Sequence, residues 1–355
     1  MENLWKVRTS PTSCHSNCRL DSTDTLQHEI NDTQDTIVVD ITVRDKRDVA
    51  GLVKISQSLV SSKLLCCTGP QIMQTFHSAS ITDIVSEMLL EIDRGVSVLC
   101  DNGDQIFVKA GAIAVSISSP GDVIQEEDQK ALEAAGKAQR LLMSRQHTTP
   151  PVCVEMPPFS TLHSAVLTQL LNNGAVSDRL ILCGCNVLSL SAVDYFLQLL
   201  ESFPSVLLCV DAFGKVETPG TGPMYPNDRE IIDAVKVLLS RGFSSQLVIS
   251  MSIRYKMDLC KYGGNGFGHI GRSVVPRMME LGVSREHIAD MTTENAYRLL
   301  SWYVPPIKKE IEVETLPCYI CGTQFVPGDH FEKFNFVYCS SKCLQAHRKR
   351  NWEAT

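Results

Sequence analysis

The feature that most restricts the fold is an alternation that begins near residue 36, in which short β-branched runs are separated by longer amphipathic segments. The runs are "TIVVDIT", "KLLCCT", "AGAIAVSIS", "PVCVE", "RLILCGC", "SVLLCVD" and "QLVISM". Buried strands read as continuous apolar stretches, and parallel strands need a crossover, so the alternation describes repeated strand-helix units around a parallel sheet. The helices between them are legible. "NDREIIDAVKVLLSRG" offers Asn227 or Asp228 as a cap, places Ile231, Ile232, Val235, Leu238 and Leu239 on one face, and stops at Gly242. "EEDQKALEAAGKAQRLL" and "LHSAVLTQLLNNG" repeat the design, the second ending at Gly174. Seven such runs fit a doubly wound sheet or an eight-stranded (β/α)8 TIM barrel whose first strand lies in the polar N-terminus. No Gly-x-Gly-x-x-Gly follows the first run, so a dinucleotide site has no support and the barrel is preferred.

The 355 residues, 44% of them hydrophobic, suffice for one large domain and a small appendage. A net charge of -7 argues against broad attraction to nucleic acid or an anionic membrane. There is no long apolar run, and "MENLWKVRTSPTS" lacks the centre of a secretory signal, so a cytoplasmic location is expected. Six of the 14 cysteines fall inside these strand-like runs, where reduced core thiols are expected rather than disulfides. After Trp302, "VPPIKKEIEVETLP" reads as a connector. The expected organisation is a barrel over 1–304, a linker over 305–316 and a small module over 317–355.

The stretch "LVISMSIRYKMDLCKYGGNGFGHIGRSVVPRMMELGVSREHIADMTTENAYRLL", with its Tyr-Gly-Gly-x-Gly-[FY]-x-His-Ile run at Tyr262 to Ile270, resembles the phosphotriesterase-like family of the amidohydrolase superfamily. The likeness covers roughly residues 36 to 303. It implies a metal-dependent hydrolase whose two zinc-like ions sit at the C-terminal mouth of the barrel and activate a bridging water. The family's ligands are a His-x-His step on strand one, a carboxylated Lys or Glu on strand four, a His on each of strands five and six, and an Asp on strand eight. Carried onto this chain, the resemblance keeps His15 and puts Asn17 where the second histidine belongs. It leaves only Ala114 or Val115 at the bridge, and gives Glu155 on strand five, Cys185 on strand six and Ser252 on strand eight. A serine has far too high a pKa to serve unaided as the general base. These positions are read as the vestige of a mouth that has lost its binuclear metal, without confident catalytic residues. The alternative is a rebuilt site holding one zinc on His15, Glu155 and Cys185. His269 is expected to cap or pack, and Asp211 to hold a loop.

The strongest chemical signal is at the end of the chain. "CYIC" supplies Cys318 and Cys321, "YCSSKC" supplies Cys339 and Cys343, and seventeen residues separate the pairs. That spacing is suited to a closed tetrahedral zinc site, and a module this small needs such a staple. The intervening residues alternate around Pro327-Gly328 and predict a hairpin leading into a helix over "SSKCLQAHRKRNW". The whole resembles treble-clef fingers that end in Tyr/Phe-Cys-Ser-x-x-Cys-Leu. His347 is not needed for the ligand set, and His330 is expected to face solvent. The reading that follows is a pseudoenzyme barrel with structural zinc, serving as scaffold or partner-binding protein. A protein partner is expected, a homodimer is compatible, and a membrane is not implied. A hydrolase of an ester or amide with a remodelled site is the alternative, and a nucleic-acid adaptor working through Arg348, Lys349 and Arg350 is a third reading.

Overall fold

The computed structural model describes residues 22–33, 35–43, 47–72, 75–100, 102–146, 149–185, 188–215, 225–302, 316–325 and 330–352. The chain divides into two compact units, Met1–Tyr303 and Val304–Thr355.

In the first unit, helix α1 (Thr23–Asn31) precedes β1 (Ile37–Asp40), and α2 (Val49–Gln57) leads to β2 (Lys63–Thr68). After α3 (Ile81–Asp93) comes an antiparallel ribbon, β3 (Val96–Leu99) and β4 (Gln105–Val108). Then β5 (Ala112–Ser116), α4 (Glu126–Gln146), β6 (Val152–Glu155), α5 (His163–Asn172), β7 (Leu180–Cys183), α6 (Val193–Ser202), β8 (Leu207–Val210), α7 (Asp228–Ser240) and β9 (Leu247–Ile249) follow. Three short helices, α8 (Val275–Glu280), α9 (Arg285–Ala289) and α10 (Asn295–Leu300), complete the unit. The sheet order is β1-β2-β5-β6-β7-β8-β9, parallel throughout. This is the strand succession of a TIM barrel, and all seven predicted runs supply it. The further strand expected in the N-terminus, with His15 and Asn17, lies outside the described residues.

Side chains alternate across the sheet because successive Cβ atoms point to opposite faces. Ile113, Val115, Val154, Leu182 and Val210 join the layer packed under the helices, whereas Ala112, Ala114, Cys153, Ile181 and Cys209 form a separate inner cluster. The capping of α7 follows its sequence: the Asn227 side chain accepts from the Glu230 N–H at 3.0 Å, and the Glu230 carboxylate accepts from the Asn227 N–H at 3.0 Å. Helix α4 is anchored by Asp128 in its first turn. This fully buried carboxylate accepts from the N–H of Ser118 (2.8 Å) and Ser119 (2.7 Å) and from both serine hydroxyls (3.2 and 2.6 Å). It fixes the loop that leaves β5. Between α2 and α3, Arg47 forks onto both oxygens of Glu91 at 2.9 and 2.7 Å and donates to the Cys67 carbonyl at 2.7 Å.

In the second unit, β10 (Leu316–Pro317) pairs with β11 (Gln324–Phe325), and β12 (Phe331–Lys333) with β13 (Phe336–Tyr338), before α11 (Ser341–Lys349). The described hairpin turns at Phe334-Asn335; Pro327-Gly328, around which the sequence centred its alternation, lie outside the described residues. Both turn residues have positive φ, 52° and 66°, as the tightest hairpin connection requires. The alternation of aromatic residues did not show where the turn falls.

Replacing Asp128 by Ala strips four donors of their acceptor in a closed site. The expected loss is on the order of 3 kcal/mol of stability, read as a lower denaturant midpoint.

Candidate functional site

The strands end together, so the barrel mouth is set by register. Glu155 at the end of β6 faces Ser116 on β5 and Cys183 on β7. Of the two candidates on β5, Ala114 belongs to the inner cluster and Val115 to the layer under the helices, so only Ala114 faces the barrel interior.

One side chain organises the charges here, and sequence reasoning passed over it. Arg254 places Nη2 2.9 Å from Glu155 Oε1 and donates from Nε to Ser252 Oγ at 2.9 Å. Its backbone N–H and that of Tyr255 donate to Asp258 Oδ2 at 2.8 and 2.9 Å, and Lys215 Nζ reaches the same oxygen at 2.9 Å. Burial pulls the Lys215 ammonium below its ordinary value, with Asp258 opposing. Asp211, at the end of β8, accepts from the Gly184 N–H at 2.9 Å, so it does hold a neighbouring loop. Its other oxygen, Oδ1, is buried without a partner among the described residues. Burial pushes the Asp211 carboxyl up, against the Gly184 N–H, Arg254 and Lys215. The one hint in the sequence was the basic residue two positions after Ser252, in "SMSIR".

Among the residues expected at the mouth, Glu155 and Ser252 are therefore joined through Arg254. Cys185 is not with them. It is fully buried in the helix-facing layer, its thiol donates to the Leu182 carbonyl at 3.7 Å, and burial pushes it well above the ordinary thiol range. The strand ends at Cys183, and Gly184 takes φ +79°, which turns the next side chain away from the barrel axis.

The run from Tyr262 to Ile270 serves chain geometry. Gly264 lies against the Met257 and Asp258 backbone, where a Cβ would collide. Gly266 takes φ +64° beside Glu29. Glu29, on α1, accepts from the N–H groups of Cys260 and Lys261 at 3.1 and 3.0 Å. Asn265 donates to the Gly214 carbonyl at 2.7 Å, and His269 Nε2 lies 2.6 Å from Asp228 Oδ2. His269 thus ties the loop to the first turn of α7. Although burial opposes it, the His269 contact and the Gly214 N–H hold the Asp228 carboxyl below its usual value.

In the C-terminal unit, Cys318, Cys321, Cys339 and Cys343 bring their sulfurs within 4.8 Å of one another. The Cys321–Cys339 and Cys339–Cys343 separations are 3.6 and 3.8 Å. A tetrahedron with zinc–sulfur bonds of about 2.3 Å has edges of about 3.8 Å, so the donor set fits zinc. Burial opposes ionisation of Cys318, but the backbone N–H groups of Cys339, Cys321 and Ile320 hold its thiol down to about 6. Cys339, hydrogen-bonded to Cys321 and set beside the other sulfurs, is pushed up to about 12. Four thiolates cannot crowd together without a cation. The knuckle closes through Gly322 N–H to the Cys318 carbonyl at 2.8 Å, and Ser340 caps α11. His347 is no ligand here: it is fully buried, with Nδ1 2.8 Å from the Tyr338 hydroxyl. His330, expected to face solvent, keeps a fifth of its side chain exposed and pairs with Glu332 at 2.9 Å.

Residues 22–300 match the model of the phosphotriesterase family, and residues 313–355 that of the Vms1-associating treble clef domain. Curated relatives include an N-acetyltaurine hydrolase of Xenopus tropicalis, 25% identical over 85% of this chain and 84% of that protein. A phosphotriesterase-related protein of Nematostella vectensis is 26% identical, with 83% of each chain covered. Among solved structures, a resiniferatoxin-binding protein from Rhodobacter sphaeroides superposes with a TM-score of 0.69 at 23% identity, over 84% of this chain and 81% of that one. The phosphotriesterase homology protein of Escherichia coli gives 0.66 at 22%, over 82% and 94%. No described helix is long and apolar enough to cross a membrane.

Two outcomes follow from the geometry. Arg254→Met should lower stability by on the order of 2 kcal/mol, because Glu155 loses its cation, and adding Glu155→Gln should restore part of it. A denaturant double-mutant cycle measures the coupling. For Asp228 the folded pKa lies below the unfolded one. Its contribution is therefore whole above the ordinary carboxylate value and is lost as the pH falls through the depressed folded value. The stability advantage of the native chain over Asp228→Asn should accordingly shrink in acid, as followed by unfolding at a series of pH values.

Proposed function

The chain belongs to the phosphotriesterase family, and on that premise we propose that its barrel is a pseudoenzyme acting as a scaffold, with a zinc-stapled finger that docks a protein partner. The observation that carries the reading is Arg254. A guanidinium paired with Glu155 and bonded to Ser252 occupies the charge-compensating role that a metal pair has in the family. Ala114, at the bridging position, offers no donor, and Ser252 offers a neutral hydroxyl that is already engaged. Electrostatics then work against a dication: it would have to displace an arginine already neutralising the carboxylate.

The partner class follows from the finger. Its match to a Vms1-associating domain supports a protein of that kind over nucleic acid. The basic end of α11, with Arg348, Lys349 and Arg350 exposed, is the feature that keeps a nucleic-acid role in view, and it is set against a chain with net charge -7. The competing reading, a hydrolase with a remodelled site, draws on the relatives named N-acetyltaurine hydrolase and on the carboxylates of Glu155 and Asp211 at the mouth.

Metal analysis with an activity screen decides between the readings. The full chain should carry about one zinc, and replacing the four finger cysteines by serine should remove it. Neither form should hydrolyse N-acyl amides, esters or phosphotriesters. Stoichiometric zinc in the finger-substituted chain, with turnover abolished by Glu155→Gln, would establish the hydrolase instead.

A further inference from the structure

The charge of the C-terminal unit runs against that of the chain. Residues 317–355 hold five Lys and Arg against three Asp and Glu, whereas the whole chain has 33 against 40. Helix α11 carries Lys342, Arg348 and Lys349, Arg350 follows at its end, and the helix contains no acidic residue. Positions 342, 345 and 349 follow one another at helical spacing, with 348 beside them, and all four are exposed. They form a basic stripe about 10 Å long on the solvent face, away from the buried His347. Among the described residues, the side chains of Lys342, Arg348, Lys349 and Arg350 have no ion-pair or hydrogen-bond partner; the ion pair of this unit is His330 with Glu332.

Helix stability accounts for only part of the stripe. Cations in the last turn complement the negative end of the helix dipole, which covers Arg348 and Lys349. Lys342 stands in the first turn, at the positive end, where a cation is disfavoured. An aromatic pair adjoins the C-terminal end of the stripe. Asn351 and Trp352 take positive φ, 54° and 64°, and the Trp352 ring meets both His347 and Phe334 at 5.3 Å between centroids. Phe334 occupies the hairpin tip at φ 52°, a conformation that favours Asn, Asp or Gly. It is 63% exposed, with Lys333 Nζ 4.9 Å from its ring centroid. Packing of the unit does not explain a bulky ring held at a strained tip and left mostly in water.

We propose that the α11 stripe, together with the Phe334 ring, binds an acidic peptide segment of a partner protein. Carboxylates of the segment pair with Lys342, Arg348 and Lys349, and an apolar side chain lies on Phe334. The proposal rests on the reading of the finger as a docking module and supplies the chemistry of its partner. The size of the face favours a peptide over nucleic acid. About three residues of an extended chain span 10 Å, so a short segment with closely spaced acids reaches every cation of the stripe. A polynucleotide would gain few phosphate contacts on so short a stripe, and one exposed ring cannot stack successive bases. The chain as a whole, at -7, also repels a long polyanion.

The test is fluorescence anisotropy with the full, zinc-loaded chain and the labelled peptide Asp-Glu-Asp-Phe-Glu-Asp-Glu. The expected result is saturable binding that weakens with added salt and falls about tenfold when Asn and Gln replace the acids of the peptide. Lys342→Gln, Arg348→Gln and Lys349→Gln together should weaken binding about tenfold, since three exposed ion pairs are lost. Phe334→Asn suits the turn and so keeps the hairpin; it should weaken binding several-fold with zinc content unchanged. Absence of binding, undiminished binding in either variant, or tighter binding of a labelled oligouridylate of equal charge would each overturn the proposal. The parent reading fails separately, on turnover or on zinc held by the barrel, whatever the peptide does.

Discussion

The mouth of this barrel is arranged around the charge of one guanidinium. Arg254 meets Glu155 and Ser252 through its side chain, and its own backbone is held by Asp258, which Lys215 neutralises in turn. The carboxylates at the strand ends are thus compensated by cations of the chain itself. In a region of reduced dielectric, carboxylates crowded without compensation would shift their pKa values and take up protons. An arginine keeps its charge at any accessible pH, so the cation facing Glu155 is a permanent one.

The frame around the mouth depends on contacts that the family motif provides. Gly264 and Gly266 allow the loop after β9 to lie against its own backbone and against Glu29, while Asn265 and His269 fasten it to Gly214 and Asp228. A run specific enough to reveal kinship therefore works here as a clamp between loops. Its retention is compatible with lost chemistry, because the close approach of backbones does not depend on what the strands carry into the mouth.

The C-terminal unit solves a separate problem. Its few apolar side chains, Tyr338 and the aromatic rings around His347, cover too little area to hold a fold of this size alone. The four sulfurs set at near-tetrahedral separations supply the missing constraint once a cation joins them.

The sequence by itself determined the strand succession, the helix caps and stops, and the zinc ligand set, because each rests on local rules of periodicity, capping and spacing. Asn227, Gly242 and the Cys318–Cys343 series needed no tertiary information. Glu155 does end its strand, whereas Ser252 lies three residues past the end of β9. The sequence placed Cys185 at the mouth because a run of apolar residues does not reveal where a strand ends. Only the folded chain shows that the strand stops at Cys183 and that Gly184 turns the next side chain into the helix layer. The pairing of Arg254 with Glu155, nearly a hundred positions away, was likewise decided by the tertiary structure. Strand register and loop path bring such charges together, and neither leaves a periodic trace in the sequence.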